Sequence, residues 1–275
     1  MEGTGTYDAS SVSALGSSDP VSGELDFSGK VVLVTGGTRG IGAGITAAFL
    51  ERGATLVACG RNLPEQLADG VSFVQADVRD PGQAAAAVDQ TVARHGRIDI
   101  VINNAGGTAP APAATLEPER AAAVVTLNLL SPFYVAQRAN SVMQAQESGG
   151  QVINIGSVAE LRPAPGVAIY AAAKSGLTGL TRALALEWAP KVRVNQVTPG
   201  LVETEGSARH YGGEAGFAAA SATIPQGRFA RPSDVASACL LLASPLAGHI
   251  NGADLRVDGG GEVPGWLVAL RAATD

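Results

Sequence analysis

The chain has 275 residues, 46% hydrophobic and 16% charged, with a formal net charge of -6 and an isoelectric point near 5.1. That length supports one large core or two modest ones, and the acidic balance gives no electrostatic case for a nucleic-acid partner or an anionic membrane. No run of about 18 apolar residues free of charges and breakers is present, and no basic stretch followed by an apolar one opens the chain, so a cytoplasmic protein is expected.

Met1 to Glu24 is rich in Ser, Gly, Thr and Asp without apolar periodicity and reads as a mobile tail. The run from Lys30 to Val34 reads as a buried strand. It leads into Thr35-Gly36-Gly37-Thr38-Arg39-Gly40-Ile41-Gly42 and a helical stretch from Ala43 to Arg52. Strand, glycine turn and helix in that order make a phosphate cradle. Gly36 permits the tight turn, Gly40 and Gly42 allow close backbone approach, and free N–H groups with the helix dipole favour an anion. A glycine-rich turn between ordinary elements is the competing reading.

Strands and helices then alternate without a break in composition. Strands are expected at Thr55 to Cys59, at Val71 to Gln75 ending in Asp77-Val78, and at Asp99 to Ile102 running into Asn103-Asn104-Ala105-Gly106. Between the last two lies a helix from Gln83 to Arg94, closed by Gly96. A single long helix follows from about Pro118 to Ala145, then strands at Gln151 to Ile155, Val192 to Val197 and Leu255 to Val257. Helices are expected around Tyr170 and from Ser233 to Ala243. Such alternation implies a parallel sheet covered on both faces, so residues 25–275 form one doubly wound α/β domain of about seven strands. Cys59 and Cys239 sit in apolar runs far apart and read as buried small hydrophobes rather than a disulfide. No metal-ligand spacing joins them to His95, His210 or His249, so no metal is expected.

Tyr170 and Lys174 bracket three alanines at the start of a helix. Four residues at about 1.5 Å rise each is little more than one turn, so phenol and ammonium share a face. A positive charge about 4 to 6 Å away favours the ionised phenol, which lets the pair exchange a proton near neutral pH. A surface tyrosine beside a solvated lysine is the alternative.

Taken together, Thr35 to Gly42, Asp77, Asn103 to Gly106, Asn128, Ser157, Tyr170 with Lys174, and Pro199-Gly200 resemble, in order and spacing, the short-chain dehydrogenase/reductase family. The resemblance runs from about Phe27 to Gly260 and is closest to 3-oxoacyl reductases. It implies a Rossmann-type fold with a nicotinamide dinucleotide over the carboxyl ends of the strands. It implies that Tyr170 is the acid/base in ketone and secondary alcohol interconversion, that Lys174 lowers its pKa and holds the nicotinamide ribose, and that Ser157 binds the substrate oxygen. Asn128 matches the family asparagine supporting a proton path to the lysine; a packing or kink role in its helix stays open. Asn104, Ala105 and Gly106 would lie against the adenosine side. Asp77 and Val78 would face the adenine, although Asp77 also suits a cap before Asp80-Pro81. Pro199, Gly200, Val202 and Thr204 would approach the nicotinamide carboxamide. The family further implies a homo-oligomer, tetramer or dimer, built through the helices carrying Asn128 and Lys174.

NAD-preferring relatives place an acid at the end of the second strand, whereas this chain has Cys59-Gly60-Arg61-Asn62. Arg61 with Arg39 could clasp a ribose 2'-phosphate, which favours NADP(H), with NAD(H) possible if Arg61 is only a surface residue. Residues 203–225 would be the substrate lid. Its alanine-rich helix would pack through Phe217, and His210 and Tyr211 show no substrate code. The apolar residues Trp266, Leu267, Val268 and Leu270 would cover the lid or a neighbouring subunit. Gln144 to Gly150 and Ala185 to Glu187 carry no Arg or Lys, which argues against an acyl-carrier substrate. A small or medium hydrophobic ketone, a ring ketone or a coenzyme A thioester fits better. A nucleotide-binding regulatory protein and a cofactor-recycling epimerase or dehydratase on the same scaffold are the rivals.

Overall fold

A computed structural model describes residues 25–205 and 211–265, together with Gly23, Ser207, Leu267 and Leu270. Nearly all of the expected N-terminal tail, His210, Trp266 and Val268 lie outside the described residues. Seven strands are present: β1 (Val31–Thr35), β2 (Thr55–Gly60), β3 (Val71–Gln75), β4 (Ile100–Asn103), β5 (Gly150–Ile155), β6 (Val192–Pro199) and β7 (Asp254–Val257). All pair in parallel in the order β3-β2-β1-β4-β5-β6-β7. All five residues of β1 are buried. That is why its sequence is a continuous apolar run rather than an alternating one: both faces of a parallel sheet are covered.

The helices are α1 (Gly40–Leu50), α2 (Pro81–His95), α3 (Pro118–Val125), α4 (Ser131–Ala145), α5 (Ala168–Trp188), α6 (Gly213–Ala222) and α7 (Pro232–Ala243). Successive β1 side chains enter opposite layers. Val32 and Val34 join Ile45 and Phe49 of α1 and Val235 and Leu242 of α7. Leu33 joins Ala87 and Val88 of α2, Val135 and Met143 of α4, and Leu184 of α5. Phe49 is fully buried with its ring 4.8 Å from that of Phe27, burial worth about 2–3 kcal/mol for one side chain. Cys59 and Cys239 are both free and buried, in opposite layers, as their apolar settings suggest.

Local chemistry fixes the element ends. Asp80 accepts a hydrogen bond from the Gln83 amide at 2.8 Å with Pro81 in the first turn of α2, and Gly96 closes that helix at φ 76°. Asp77 therefore does not cap α2; its carboxylate is held by Arg79. Strand β6 runs on to Pro199, past the expected end, because Gln196 to Pro199 pair with β7. The expected single helix from Pro118 to Ala145 is corrected by the structure: a π turn, Thr126–Leu130, separates α3 from α4. Asn128 causes it. Its Nδ2 donates to the carbonyls of Val124 and Gly107 and its Oδ1 accepts from the Gly107 amide, all at 2.9 Å. A side chain with partners on both its own helix and a neighbouring loop fits a local widening of the ladder.

Candidate functional site

The strand order reverses between β1 and β4, which puts a crevice outside their carboxyl ends. A cleft of about 830 Å³ lies there. Its walls include Gly36, Thr38, Arg39, Gly40, Ile41, Gly42, Arg61, Asp77, Val78, Asn104, Ala105, Gly106, Tyr170, Lys174 and Thr204. A more open depression of about 500 Å³ between α1 and the start of α7 holds none of these residues.

The phosphate end is built by backbone. Gly36 turns at φ 64°, in the left-handed region that favours glycine. A Cβ on Gly42 would stand 2.1 Å from the Gly36 carbonyl oxygen and 2.5 Å from Asn104 Nδ2, so this glycine serves helix-to-loop packing rather than ligand approach. Asn104 ties the loop to the sheet by donating Nδ2 to the carbonyls of Thr35 and Gly36 at 3.0 and 3.1 Å. Thr35 Oγ1 in turn accepts from the Asn104 and Ala105 amides at 3.0 Å.

Arg39, within this loop, and Arg61, just after β2, are exposed, and among the described residues neither is in an ion pair. Asp77 is engaged instead by Arg79, whose Nε donates to both carboxylate oxygens at 2.9 and 3.1 Å. That bond holds its carboxyl below the usual range. Cys59 also borders the cleft, but burial and the Asp77 charge push its thiol up to about 12, so it stays neutral. Cys59, Leu63, Pro64 and Leu127 are wall residues that sequence reasoning did not assign to the site. Each lies next to a residue or segment that it did consider.

The reactive end gathers Tyr170, Lys174, Ser157 and Asn128. Lys174 is buried, with Nζ donating to the Ile155 carbonyl at 2.7 Å and lying 5.9 Å from the centre of the Tyr170 ring. Burial lowers its pKa from 10.5 to about 8. The expectation that the ammonium lowers the Tyr170 pKa is not what this arrangement gives. Burial raises it, a hydrogen bond with Ser157 opposes the rise, and the charge of Glu160 adds to it. Ser157 also accepts from the Ala159 amide at 3.2 Å, capping a short turn, so the cap role and the contact to Tyr170 coexist. Asn128 lies behind the wall. A Cβ on Gly106 would meet Asn128 Oδ1 at 2.9 Å and Lys174 Nζ at 3.4 Å, so both groups press on one glycine.

Three of the predicted carboxamide contacts do not line the cleft. Pro199 ends β6 among buried residues, Gly200 packs against Asp258, and Val202 bridges to Ala230; only Thr204 reaches the wall. In α6, within the stretch expected to be a lid, Phe217 packs on Phe229 with ring centres 4.4 Å apart. The C-terminal segment joins the end of α6 through a hydrogen bond from the Val263 amide to the Thr223 carbonyl. No helix among the described residues is long and apolar enough to cross a membrane, and no group of them could hold a metal ion.

A doubly wound sheet with a glycine loop, a polar cleft at the switch point and a Tyr170–Lys174 pair on its floor defines a dinucleotide-dependent oxidoreductase class. The family model described as enoyl-(acyl carrier protein) reductase matches residues 36–262. The chain is 37% identical over 254 residues to D-threitol dehydrogenase of Mycolicibacterium smegmatis, covering 86% of this chain and 95% of that one. It is 36% identical to 3-oxoacyl-[acyl-carrier-protein] reductase of Thermotoga maritima, covering 86% and 99%. The ligand-free aldohexose dehydrogenase of Thermoplasma acidophilum superposes with a TM-score of 0.80 at 28% identity, covering 86% and 94%. The chain belongs to the short-chain dehydrogenase/reductase family and is an oxidoreductase of CH–OH groups that uses a nicotinamide cofactor.

Proposed function

We propose that the protein interconverts a ketone and a secondary alcohol with NADP(H), and that Tyr170 is its acid/base. The observation that carries this is the placing of Tyr170 and Lys174 in the same cleft as the glycine loop and the two exposed arginines. A nicotinamide dinucleotide held there supplies the hydride. Gly36 to Gly42 offer backbone N–H groups and the start of α1 to its diphosphate, and Arg39 and Arg61 are free to pair with a 2'-phosphate. Asp77 and Val78 border the adenine side, and Thr204 the nicotinamide side.

In reduction the Tyr170 hydroxyl donates its proton to the carbonyl oxygen; in oxidation it takes the proton from the alcohol. Burial keeps the phenol protonated at neutral pH, which suits the reductive direction. Ser157, already hydrogen-bonded to Tyr170, gives the substrate oxygen a second donor. Lys174, fixed by the Ile155 carbonyl, presents its remaining N–H groups toward the cleft wall that it forms. Asn128 holds the Gly106–Gly107 backbone against that ammonium. The lack of Arg and Lys at Gln144 to Gly150 and Ala185 to Glu187 favours a small or medium hydrophobic ketone, a ring ketone or a coenzyme A thioester over a carrier-bound one. Leu130 and Leu186, exposed next to α4 and on α5, support a homo-oligomer formed through those helices.

The test is NADPH and NADH oxidation against cyclic, aryl, β-keto ester and thioester ketones, with Tyr170→Phe in parallel. NADPH-dependent turnover that disappears in the variant while NADPH still binds is the expected result. Wild-type turnover in Tyr170→Phe overturns the acid role, and an NADH preference overturns the choice of cofactor.

A further inference from the structure

Beside the reactive pair, four elements bring five polar side chains together. Glu160 follows β5, Thr178 lies on α5, Gln196 and Thr198 on β6, and Asp254 on β7. Gln196 and Thr198 are fully buried; Gln196 Oε1 has no hydrogen-bond partner among the described residues, and its amide nitrogen carries the bonds to the cluster. Gln196 Nε2 donates to Thr178 Oγ1 at 2.7 Å and to Thr198 Oγ1 at 2.9 Å. Each hydroxyl then passes its own proton outward, Thr178 to Glu160 Oε2 at 2.7 Å and Thr198 to Asp254 Oδ1 at 2.5 Å. The two carboxyl groups also meet each other. Burial raises the Glu160 pKa above the usual carboxylate value and the Asp254 charge adds to the rise, while the bonds from Thr178 and Gln196 oppose it.

This cluster sits under the reactive helix face. Tyr170, Lys174 and Thr178 are spaced four residues apart along α5, so one face carries the phenol, the ammonium and the hydroxyl bound to Glu160. We propose that Glu160, held through the Thr178 hydroxyl, is a positioning residue that supplies the counter-charge of the Tyr170–Lys174 pair. Its effect on turnover rests on the acid/base role proposed for Tyr170; the charge coupling itself does not. Burial disfavours the ammonium of Lys174 and Glu160 opposes that loss, while the same charge holds the phenol of Tyr170 protonated. The charged groups around Glu160 are accounted for element by element. Tyr170 and Lys174 face it from α5 and Asp254 from β7, and Gln196 and Thr198 on β6 are neutral. Arg256 is exposed two residues beyond Asp254, and Arg162 is held by Asp258 and Glu262.

Lys30, Lys174 and Lys191 are the only lysines of the chain, so lysine side-chain NMR resolves the Lys174 titration, with Lys174→Met assigning the signal. In the full-length protein Glu160→Gln should lower that midpoint by about 0.5 to 1 pH unit. The glutamine can still accept from Thr178 and donate to Asp254, so the fold is kept. Asp254→Asn disturbs the same cluster but keeps the Glu160 carboxyl and removes a neighbour that raises its pKa, so it should hold the Lys174 midpoint or raise it. An unmoved midpoint in Glu160→Gln, or an equal fall in both variants, overturns the proposal whatever the turnover of Tyr170→Phe. With an accepted ketone, the alkaline fall of reduction should shift to lower pH in Glu160→Gln alone.

Discussion

Asn128→Ala probes the π turn. The wild-type side chain makes three hydrogen bonds at 2.9 Å while fully buried, and alanine makes none of them. Each neutral bond contributes about 1 kcal/mol net, but Gly107 is exposed, so water recovers part of the loss there. A destabilisation of about 2 kcal/mol follows, and for a chain of this size that lowers Tm by about 4–8 °C. Thermal unfolding followed by circular dichroism reads it directly. Because Asn128 Oδ1 and Lys174 Nζ press on the same face of Gly106, NADPH affinity should fall as well. Asn128→Asp retains the acceptor and loses both donors, so it should lie between wild type and alanine in Tm. An Asn128→Ala protein with unchanged Tm would show that packing alone holds the turn, and the account of Asn128 given above would be wrong.

Arg61→Ala should weaken NADPH at least tenfold while leaving NADH nearly unchanged; equal losses for both cofactors in a fluorescence titration would remove the 2'-phosphate role. Gly42→Ala drives a methyl against the Gly36 carbonyl and Asn104, so it should cost about 1–3 kcal/mol and abolish dinucleotide binding, which calorimetry of the purified variant would contradict if both stayed normal. Lys174 has a folded pKa of about 8 against 10.5 when free, so the unfolded chain binds more protons between those values. Its contribution to stability therefore rises as pH climbs from about 8 to 10.5, and Lys174→Met should flatten that rise in denaturant titrations; an identical pH slope in the two proteins would count against a buried ammonium.

The sheet and the phosphate loop were legible because local patterns dictate them: β-branched runs become buried strands, and a glycine turn between strand and helix has few alternatives. Tyr170 and Lys174 were legible because helix geometry alone puts positions four apart on one face. The π turn was not, since the bonds of Asn128 to Gly107 exist only after β4 and α3 have docked. The direction of the Tyr170 shift was hidden for a related reason. A sequence shows the nearby lysine, whereas the desolvation that raises the pKa depends on how much protein surrounds the phenol. Glu160 and Asp254 are separated by most of the C-terminal half, and only the order β5-β6-β7 brings them together. The bridge of Val202 to Ala230 was not legible, because it is a tertiary contact.

The tie between Asn104 and the loop after β1 also bears on how the protein is made. Strands β1 and β4 lie side by side in the sheet, yet 69 residues separate Asn104 from the Thr35 carbonyl that it holds. During synthesis, β1, its glycine turn and α1 emerge first and have no β4 to pair with, so the turn lacks the amide that fixes it. At about 5–20 residues per second, several seconds pass before Asn104 leaves the ribosome. A nascent chain halted shortly after α1 should therefore have no affinity for dinucleotide, and one extended past β4 can begin to acquire it. Nucleotide capture thus reports the joining of two distant pieces of chain rather than the folding of the loop alone.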